Sequence, residues 1–294
     1  MKYLDHPYCN LSGGQWLRGN LHSHTRGADK VRMRQEMVDT YNERGFDFLM
    51  MSEHDVFTGE AEYADLDSKG LVLIPGNEIT ARGPHMLHVN GDRFVEPSVN
   101  RQDVIDAVGD GPGFVVVSHP NWGETFDHCP IDSLREWSGY VGMEIYNAVI
   151  ARRPGNPYAM DKWDMLLTEG RRVWGFASDD YHSPTDAGLG WNVVYSEDRT
   201  RDAILAAIRT GRFYTSSGVV ISKIVVEDMG IHVETENASR IVASMQWGCS
   251  FAVADERAIK VEVPDRASYV RFTCWGEGEQ FAWTQPFFVI DQVD

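Results

Sequence analysis

The sequence has few cysteines and few basic residues, and it contains no long apolar run. Its four cysteines lie far apart without a CxxC pair, which excludes a dense disulfide framework and predicts free thiols. The 27 lysines and arginines stand against 44 acidic residues, so the formal net charge is -17. Because long nucleic acid is bound by a basic surface, this balance argues against such a partner. A small anionic substrate held by bound cations remains compatible with the charge.

Targeting and membrane signals are also missing from the sequence. No stretch reaches the ~20 apolar residues of a membrane-spanning helix. Residues 1–7 lack the apolar core of a signal peptide. We therefore predict a cytoplasmic protein with no membrane partner. The 294 residues are enough for one large domain and a smaller one.

Apolar runs alternate with helical patterns from residue 16 to about 217. Residues 32–44, for example, carry apolar side chains at helical spacing, and Gly45 ends the pattern. This alternation predicts parallel βαβ units, and about seven of them favour a barrel. Beyond this region the runs become short and alternate with period two, which predicts a small antiparallel β-sandwich. We place the two domains at residues 1–220 and 221–294.

Metal-capable side chains follow most of the apolar runs. His22 and His24 would lie on one face of a strand, where two imidazoles can chelate one divalent ion. Glu78 has two carboxylate oxygens, each of which can take one cation. The other candidates in this setting are His54, His85, His119, Asp180 and His182. Because the active site of a parallel barrel lies where such runs end, the pattern predicts a polynuclear metal centre.

Five segments resemble the ordered motifs of the PHP (polymerase and histidinol phosphatase) superfamily. They are residues 19–25 (GNLHSHT), 52–55 (SEHD), 75–80 (PGNEIT), 118–120 (SHP) and 179–182 (DDYH). They stand in the family's order, and the later stretch 211–218 (GRFYTSSG) resembles the CehA-like subgroup. The resemblance implies a distorted (β/α)7 TIM-like barrel, two to three divalent ions and, most commonly, phosphoester hydrolysis.

The resemblance also implies a ligand set for three ions. The first set is His22, His24, Glu78 and Asp180; the second is Glu78, His85 and His119; the third is Asp29, His54 and His182. His88 stays open as an alternative to His85, while His6, His128 and His232 lie outside the implied set. Mixed imidazole and carboxylate ligands suit Zn, Mn or Fe.

The implied mechanism uses a water molecule activated by the ions, so it needs no serine or cysteine nucleophile. Glu78 would bridge two ions, and Asp180 or His182 would assist proton transfer to the leaving group. Polar side chains in loops after strand ends are candidates for binding the substrate, and arginine suits a phosphate especially well. These candidates are Arg26, Arg82, Arg152, Arg153 and Asn147.

The predicted function is a metal-dependent hydrolase that acts on a small soluble phosphate ester. A first alternative keeps the metal centre and cleaves an amide, a carbamate or a carboxyl ester. A second alternative is a non-catalytic, metal-containing binding module whose sandwich domain docks a partner.

Overall fold

The computed structural model describes residues 2–25 and 30–292. The strands in these residues are β1 (Lys2–Asp5), β2 (Gln15–Asn20), β3 (Phe48–Met50), β4 (Val72–Ile74), β5 (Gly76–Ile79), β6 (Met86–Val89), β7 (Phe114–Val117), β8 (Gly142–Asn147), β9 (Trp174–Ser178), β10 (Trp191–Ser196), β11 (Phe213–Ser216), β12 (Ile221–Glu227), β13 (Gly230–Thr235), β14 (Arg240–Ser244), β15 (Ser250–Ala254), β16 (Ala258–Glu262), β17 (Tyr269–Trp275), β18 (Phe281–Thr284) and β19 (Phe287–Asp291).

The helices are α1 (Lys30–Glu43), α2 (Glu60–Tyr63), α3 (Arg101–Gly109), α4 (Ile131–Glu136), α5 (Met160–Thr168) and α6 (Arg201–Arg209), with 3₁₀ turns at Ala148–Arg152 and Gln246–Gly248. The sequence signals at the helix ends explain where several of them begin. Asn100 accepts a hydrogen bond from the backbone N–H of Gln102, and Thr200 accepts one from Ala203, so both residues cap the following helix. No helix in the described ranges is both long and apolar enough to span a bilayer.

The region before residue 220 is a mixed α/β fold with two sheets. One sheet has the order β5-β6-β7-β8-β9, and the other contains β4-β3-β2-β10-β11. The pairs β2–β3, β3–β4, β7–β8 and β8–β9 are parallel, as predicted. The prediction of parallel strands is wrong for β5–β6, β6–β7, β10–β2 and β10–β11, which are antiparallel. Only residues 80–85 join β5 to β6, which is too short for a crossover.

A closed barrel is not seen in the described part of the chain, because the two sheets meet only at isolated bridges. Ser23, beyond β2, bridges Tyr181, and His54, beyond β3, bridges Glu78 in β5. Asp180 and Asp55 beside these bridges have left-handed backbone angles, with φ of 51° and 50°. Such angles interrupt regular strand pairing. The chain therefore leaves strand geometry at both seams, which are also the places where metal-capable side chains occur.

The region after residue 220 consists of antiparallel strands. β12, β13 and β16 form one sheet, while β14, β15, β17, β18 and β19 belong to the larger sheet. Apolar side chains from both groups, including Ile231, Ile259 and Phe272, are buried in one core. The larger sheet continues across residue 220, because β18 pairs with β11 and β1 pairs with β19.

Candidate metal centre

Eight of the nine predicted metal ligands lie together where the two sheets meet. We call them the histidine–carboxylate cluster: His22, His24, His54, Glu78, His85, His119, Asp180 and His182. The ninth, Asp29, and the predicted substrate contact Arg26 lie outside the described residues. The cluster is assembled from the segments after β2, β3, β7 and β9 together with β5 and the start of β6. Because β6 runs antiparallel to β5, its first residues reach the same end as the carboxyl ends of the other strands.

Glu78 lies at the centre of this cluster and is fully buried. Its Oε1 is 3.3 Å from His22 Nε2, 3.3 Å from His85 Nδ1 and 3.2 Å from His119 Nε2. Its Oε2 is 2.8 Å from His54 Nδ1 and 3.6 Å from His24 Nε2. One carboxylate therefore faces five imidazoles, with different imidazoles on each oxygen.

Asp180 holds the other side of the cluster. Its Oδ1 lies 3.2 Å from His24 Nε2, 3.4 Å from His22 Nε2 and 3.4 Å from His182 Nδ1. The His24 ring stacks on His54 with 4.1 Å between ring centroids and lies 4.7 Å from the ring of His182. His54 is the most exposed of the group and marks its solvent side.

The buried donor atoms of the cluster fit divalent cations. His22 Nε2, both nitrogens of His24, both oxygens of Glu78 and Asp180 Oδ1 are buried without a hydrogen bond of acceptable geometry in the described part of the chain. Leaving so many buried polar atoms unsatisfied is costly. Two ligands that are each ~2.1 Å from one tetrahedral ion lie about 3.4 Å apart. The separations of 3.2–3.6 Å around His22, His24 and Asp180 match that spacing.

Charge is also distributed unevenly inside the cluster. Burial opposes protonation of His22, but Asp180, Glu144 and Glu78 raise the pKa of its imidazole well above the ordinary value. Burial and the neighbouring His22 lower the pKa of His24. Although burial favours the neutral acid, the imidazoles hold the pKa of Glu78 well below its usual range. The carboxylates are thus ionised and suited to bind cations.

The structure adds Glu144, which is not among the residues predicted from the sequence. This carboxylate in β8 is buried, and its Oε1 accepts a hydrogen bond from His22 Nδ1 at 2.7 Å. Asn147 lies beside it, also buried, and its amide donates to Glu144 at 2.9 Å and to Asp180 at 3.3 Å. Asn147 therefore lies beneath the cluster, because β8 turns its side chain inward, and its role as a substrate contact stays a prediction. A charged residue within an apolar strand run was the available sequence signal for Glu144.

His128 also lies at the site, although it is not in the ligand set that the family resemblance implies. The backbone N–H of His85 donates to His128 Nε2 at 3.0 Å, and the two rings meet edge to face at 4.5 Å. Burial lowers the pKa of His128 to about 3, which keeps this acceptor nitrogen unprotonated. His88 lies elsewhere, against Phe57 and Gly91. Of the two alternatives, the structure brings His85 to Glu78.

Comparison with solved structures gives a likeness to this architecture. A crystal structure of a two-domain protein from Bacteroides vulgatus ATCC 8482, described as containing a predicted PHP-like metal-dependent phosphoesterase, aligns with a TM-score of 0.55. The alignment covers 97% of this chain and 90% of that chain at 15% sequence identity. The chain therefore shares the overall fold of that protein. No family model matches the sequence, and no curated protein matches it.

A cavity of ≈ 100 Å³ opens onto the histidine–carboxylate cluster. Its lining residues are His54, His85, His119, Trp122, Ile150, Arg153, Asp180 and His182. Arg153 also lines a neighbouring hollow, where Arg152 forms an ion pair with the buried Asp186. Arg82 lies exposed on the turn after β5, with φ of 74°, and does not line either hollow. Three of the four predicted arginines lie in the described residues. Among these three, Arg153 lines the cavity at the cluster, and its guanidinium has no ion-pair partner in the described part of the chain.

The loop of residues 119–129 brings His119, Trp122 and His128 to the site, and a buried lysine anchors it. Lys162 on α5 donates to the carbonyls of Pro120 at 3.1 Å and Cys129 at 2.7 Å, and to Asp127 Oδ1 at 2.7 Å. The two carbonyls lie at opposite ends of the loop. The ammonium group of Lys162 therefore holds both ends of this loop against α5.

We expect Lys162→Met to lower the free energy of unfolding by about 1–3 kcal/mol, because two buried carbonyls lose their charged donor. Residues 119–129 should also become more mobile, because the loop is held less firmly against α5. Chemical denaturation and hydrogen exchange of residues 119–129 would measure both effects. Lys260→Met on the surface of β16 is the control. Unchanged exchange in the loop would contradict the anchoring role.

Proposed function

We propose that the chain is a metal-dependent hydrolase that acts on small soluble phosphate esters. The observation that carries this proposal is the set of buried, unpartnered imidazole and carboxylate atoms around Glu78 and Asp180, which open onto a cavity. Two or three divalent ions, Zn, Mn or Fe, are the ligands that this donor set favours. The fold likeness to a protein described as containing a phosphoesterase supports the reaction class.

The proposed ligand sets are those that the family resemblance implies, with Glu78 shared between the first two. His22, His24, Glu78 and Asp180 would hold the first ion, Glu78, His85 and His119 the second, and His54 and His182 with Asp29 the third. Four of the five side-chain triads in the cluster region that can hold an ion draw only on these residues. The fifth adds His128 to His85 and His119, but the Nε2 of His128 already accepts the backbone N–H of His85.

Bound ions would supply a hydroxide near neutral pH and stabilise negative charge that develops on the substrate. The side chains around the ions would position the ligands, transfer a proton and exclude water. Glu78 faces the imidazoles of several strands and fixes their relative positions. Asp180 and His182 line the cavity, so we assign to one of them the relay of the proton that the activated water would release to the leaving group. Trp122 and Ile150 form an apolar wall that limits access of water.

We also propose a distorted barrel and a domain boundary near residue 220. The barrel would comprise β2, β3 and β5 to β9, with one seam closed by the bridge Ser23–Tyr181 and the other by the bridges His54–Glu78 and Thr58–Gly76. Residues 1–220 would form this unit, and residues 221–294 the antiparallel sandwich. The change from mixed to wholly antiparallel pairing after β11 supports the division.

Arg153 is the proposed contact for the anionic group of the substrate. Replacing it in Arg153→Met should raise KM for a phosphate ester by about 10-fold and change kcat much less, because one charge-assisted hydrogen bond is lost. Steady-state kinetics in Mn²⁺ would measure this difference. Arg257→Met, an exposed residue between β15 and β16, is the matched control. Equal KM values for Arg153→Met and the wild type would remove Arg153 from the substrate site.

The alternative substrate class is an amide, a carbamate or a carboxyl ester, and the apolar wall of Trp122 and Ile150 favours it by offering a surface for an aryl group. A screen with p-nitrophenyl phosphate, bis-p-nitrophenyl phosphate and naphthyl esters in Mn²⁺ separates the two classes. We expect release of p-nitrophenol from the phosphate esters. Turnover of naphthyl esters alone would assign the alternative.

A further inference from the structure

We propose that Glu144 is a positioning residue that organises two of the proposed ion sites at once. It touches His22 of the first ligand set through one carboxylate oxygen and His119 of the second set through the other. This inference rests on the proposed metal centre. It concerns a carboxylate that lies behind the cluster and does not line the cavity.

The first contact fixes the tautomer of His22. Glu144 Oε1 lies 2.7 Å from His22 Nδ1, so this nitrogen carries the proton and donates it to the carboxylate. With a cation in place of the second ring proton, the lone pair of the imidazole would lie on Nε2, which is 3.3 Å from Glu78 Oε1 and 3.4 Å from Asp180 Oδ1. A carboxylate behind a ligand histidine both orients the ring and makes it a stronger donor to a metal.

The second contact fixes the backbone of His119. Glu144 Oε2 accepts the backbone N–H of His119 at 2.8 Å. His119 has φ of 26°, a left-handed value that a non-glycine residue adopts only when its surroundings hold it. With the backbone held there, His119 Nε2 lies 3.2 Å from Glu78 Oε1. Glu144 therefore helps to place the second imidazole opposite the shared carboxylate.

Two further hydrogen bonds fix the carboxylate itself. Ser178 Oγ donates to Oε1 at 2.5 Å, and the amide of Asn147 donates to Oε2 at 2.9 Å. Each oxygen thus accepts one bond from a cluster histidine and one from a supporting side chain. A neutral amide cannot reproduce this pattern, because its NH₂ group would face two donors.

The test compares Glu144→Gln with the wild type and with Glu136→Gln, an exposed residue on α4. Each protein is stripped by a chelator and titrated with Mn²⁺ and with Zn²⁺ under metal buffering, and bound metal is measured by elemental analysis. We expect an affinity about 10–100-fold weaker in Glu144→Gln, with more than one equivalent affected. Glu136→Gln should bind as the wild type does.

A second measurement separates positioning from a purely structural role. Nitrogen-15 NMR of the Zn²⁺-loaded proteins should show the Nδ1–H form of His22 in the wild type and a mixture of forms in Glu144→Gln. Glu144→Asp, which keeps the charge but shortens the side chain, should recover part of the metal affinity and covers the case in which Glu144→Gln does not fold. Wild-type metal affinity in a folded Glu144→Gln, or no gain of Glu144→Asp over Glu144→Gln, would overturn the inference. A wild type that binds neither metal would instead refute the proposed function.

Discussion

Glu78→Gln is expected to lower kcat/KM for a phosphate ester by about 10³-fold or more, because charge stabilisation at the reacting centre is lost. Glu78 faces His22, His85 and His119 with a single carboxylate oxygen. The amide has similar volume but no charge, and its NH₂ group cannot bind a cation. Steady-state kinetics and elemental analysis of the same preparation would measure the loss of activity and of metal together.

The control for this change is again Glu136→Gln, which should keep both activity and metal content. The loss in Glu78→Gln should persist at saturating Mn²⁺, since the bridging position itself is removed. A variant with metal content and kcat/KM within about threefold of the wild type would show that Glu78 does not hold the ions.

Asp164→Ala is expected to destabilise the protein by about 3–5 kcal/mol, the usual cost of breaking a buried ion pair from one side. Asp164 on α5 accepts two hydrogen bonds from Arg271 on β17, with Nε at 2.7 Å and Nη2 at 2.6 Å. Tyr269 donates to the same carboxylate at 2.8 Å. All three side chains are buried, so Ala would leave the guanidinium without its counter-charge. Urea denaturation would measure the change.

The double variant Asp164→Leu with Arg271→Met should recover much of this stability, because no unpaired charge remains. The pair joins α5 of the mixed region to β17 of the antiparallel region. We therefore expect both regions of Asp164→Ala to unfold at lower urea, as followed by near-UV and far-UV circular dichroism. A loss below about 1 kcal/mol would mean that the ion pair contributes little to holding them together.

The side chains of the centre are more predictable from the sequence than the sheet that carries them. His22, His24, Glu78 and Asp180 stand next to apolar runs, and the structure brings them to one place. The pairing direction of β5 and β6 depends instead on a connection of only six residues, which the alternation of apolar runs does not reveal. The places where the two sheets meet depend on local backbone angles at Asp55 and Asp180, which the periodicity of the sequence does not indicate.

The supporting residues of the site are harder to predict because their role depends on contacts between distant segments. Glu144 meets His22 across 122 positions of the chain, and His128 meets the backbone of His85 across 43. Arg152 and Arg153 are adjacent residues of the same type, so the sequence does not distinguish them. The fold shows that Arg152 is paired with Asp186. Such distinctions arise from tertiary packing and not from local pattern.

The metal content of freshly purified protein is the direct test of a polynuclear metal centre. Elemental analysis of the wild type and of Glu78→Gln, without added metal, would give equivalents of Zn, Mn and Fe per chain. We expect about two to three equivalents of divalent metal in the wild type and a clear loss in Glu78→Gln. Less than one equivalent in the wild type, unchanged after incubation with Mn²⁺ or Zn²⁺, would contradict a polynuclear metal centre.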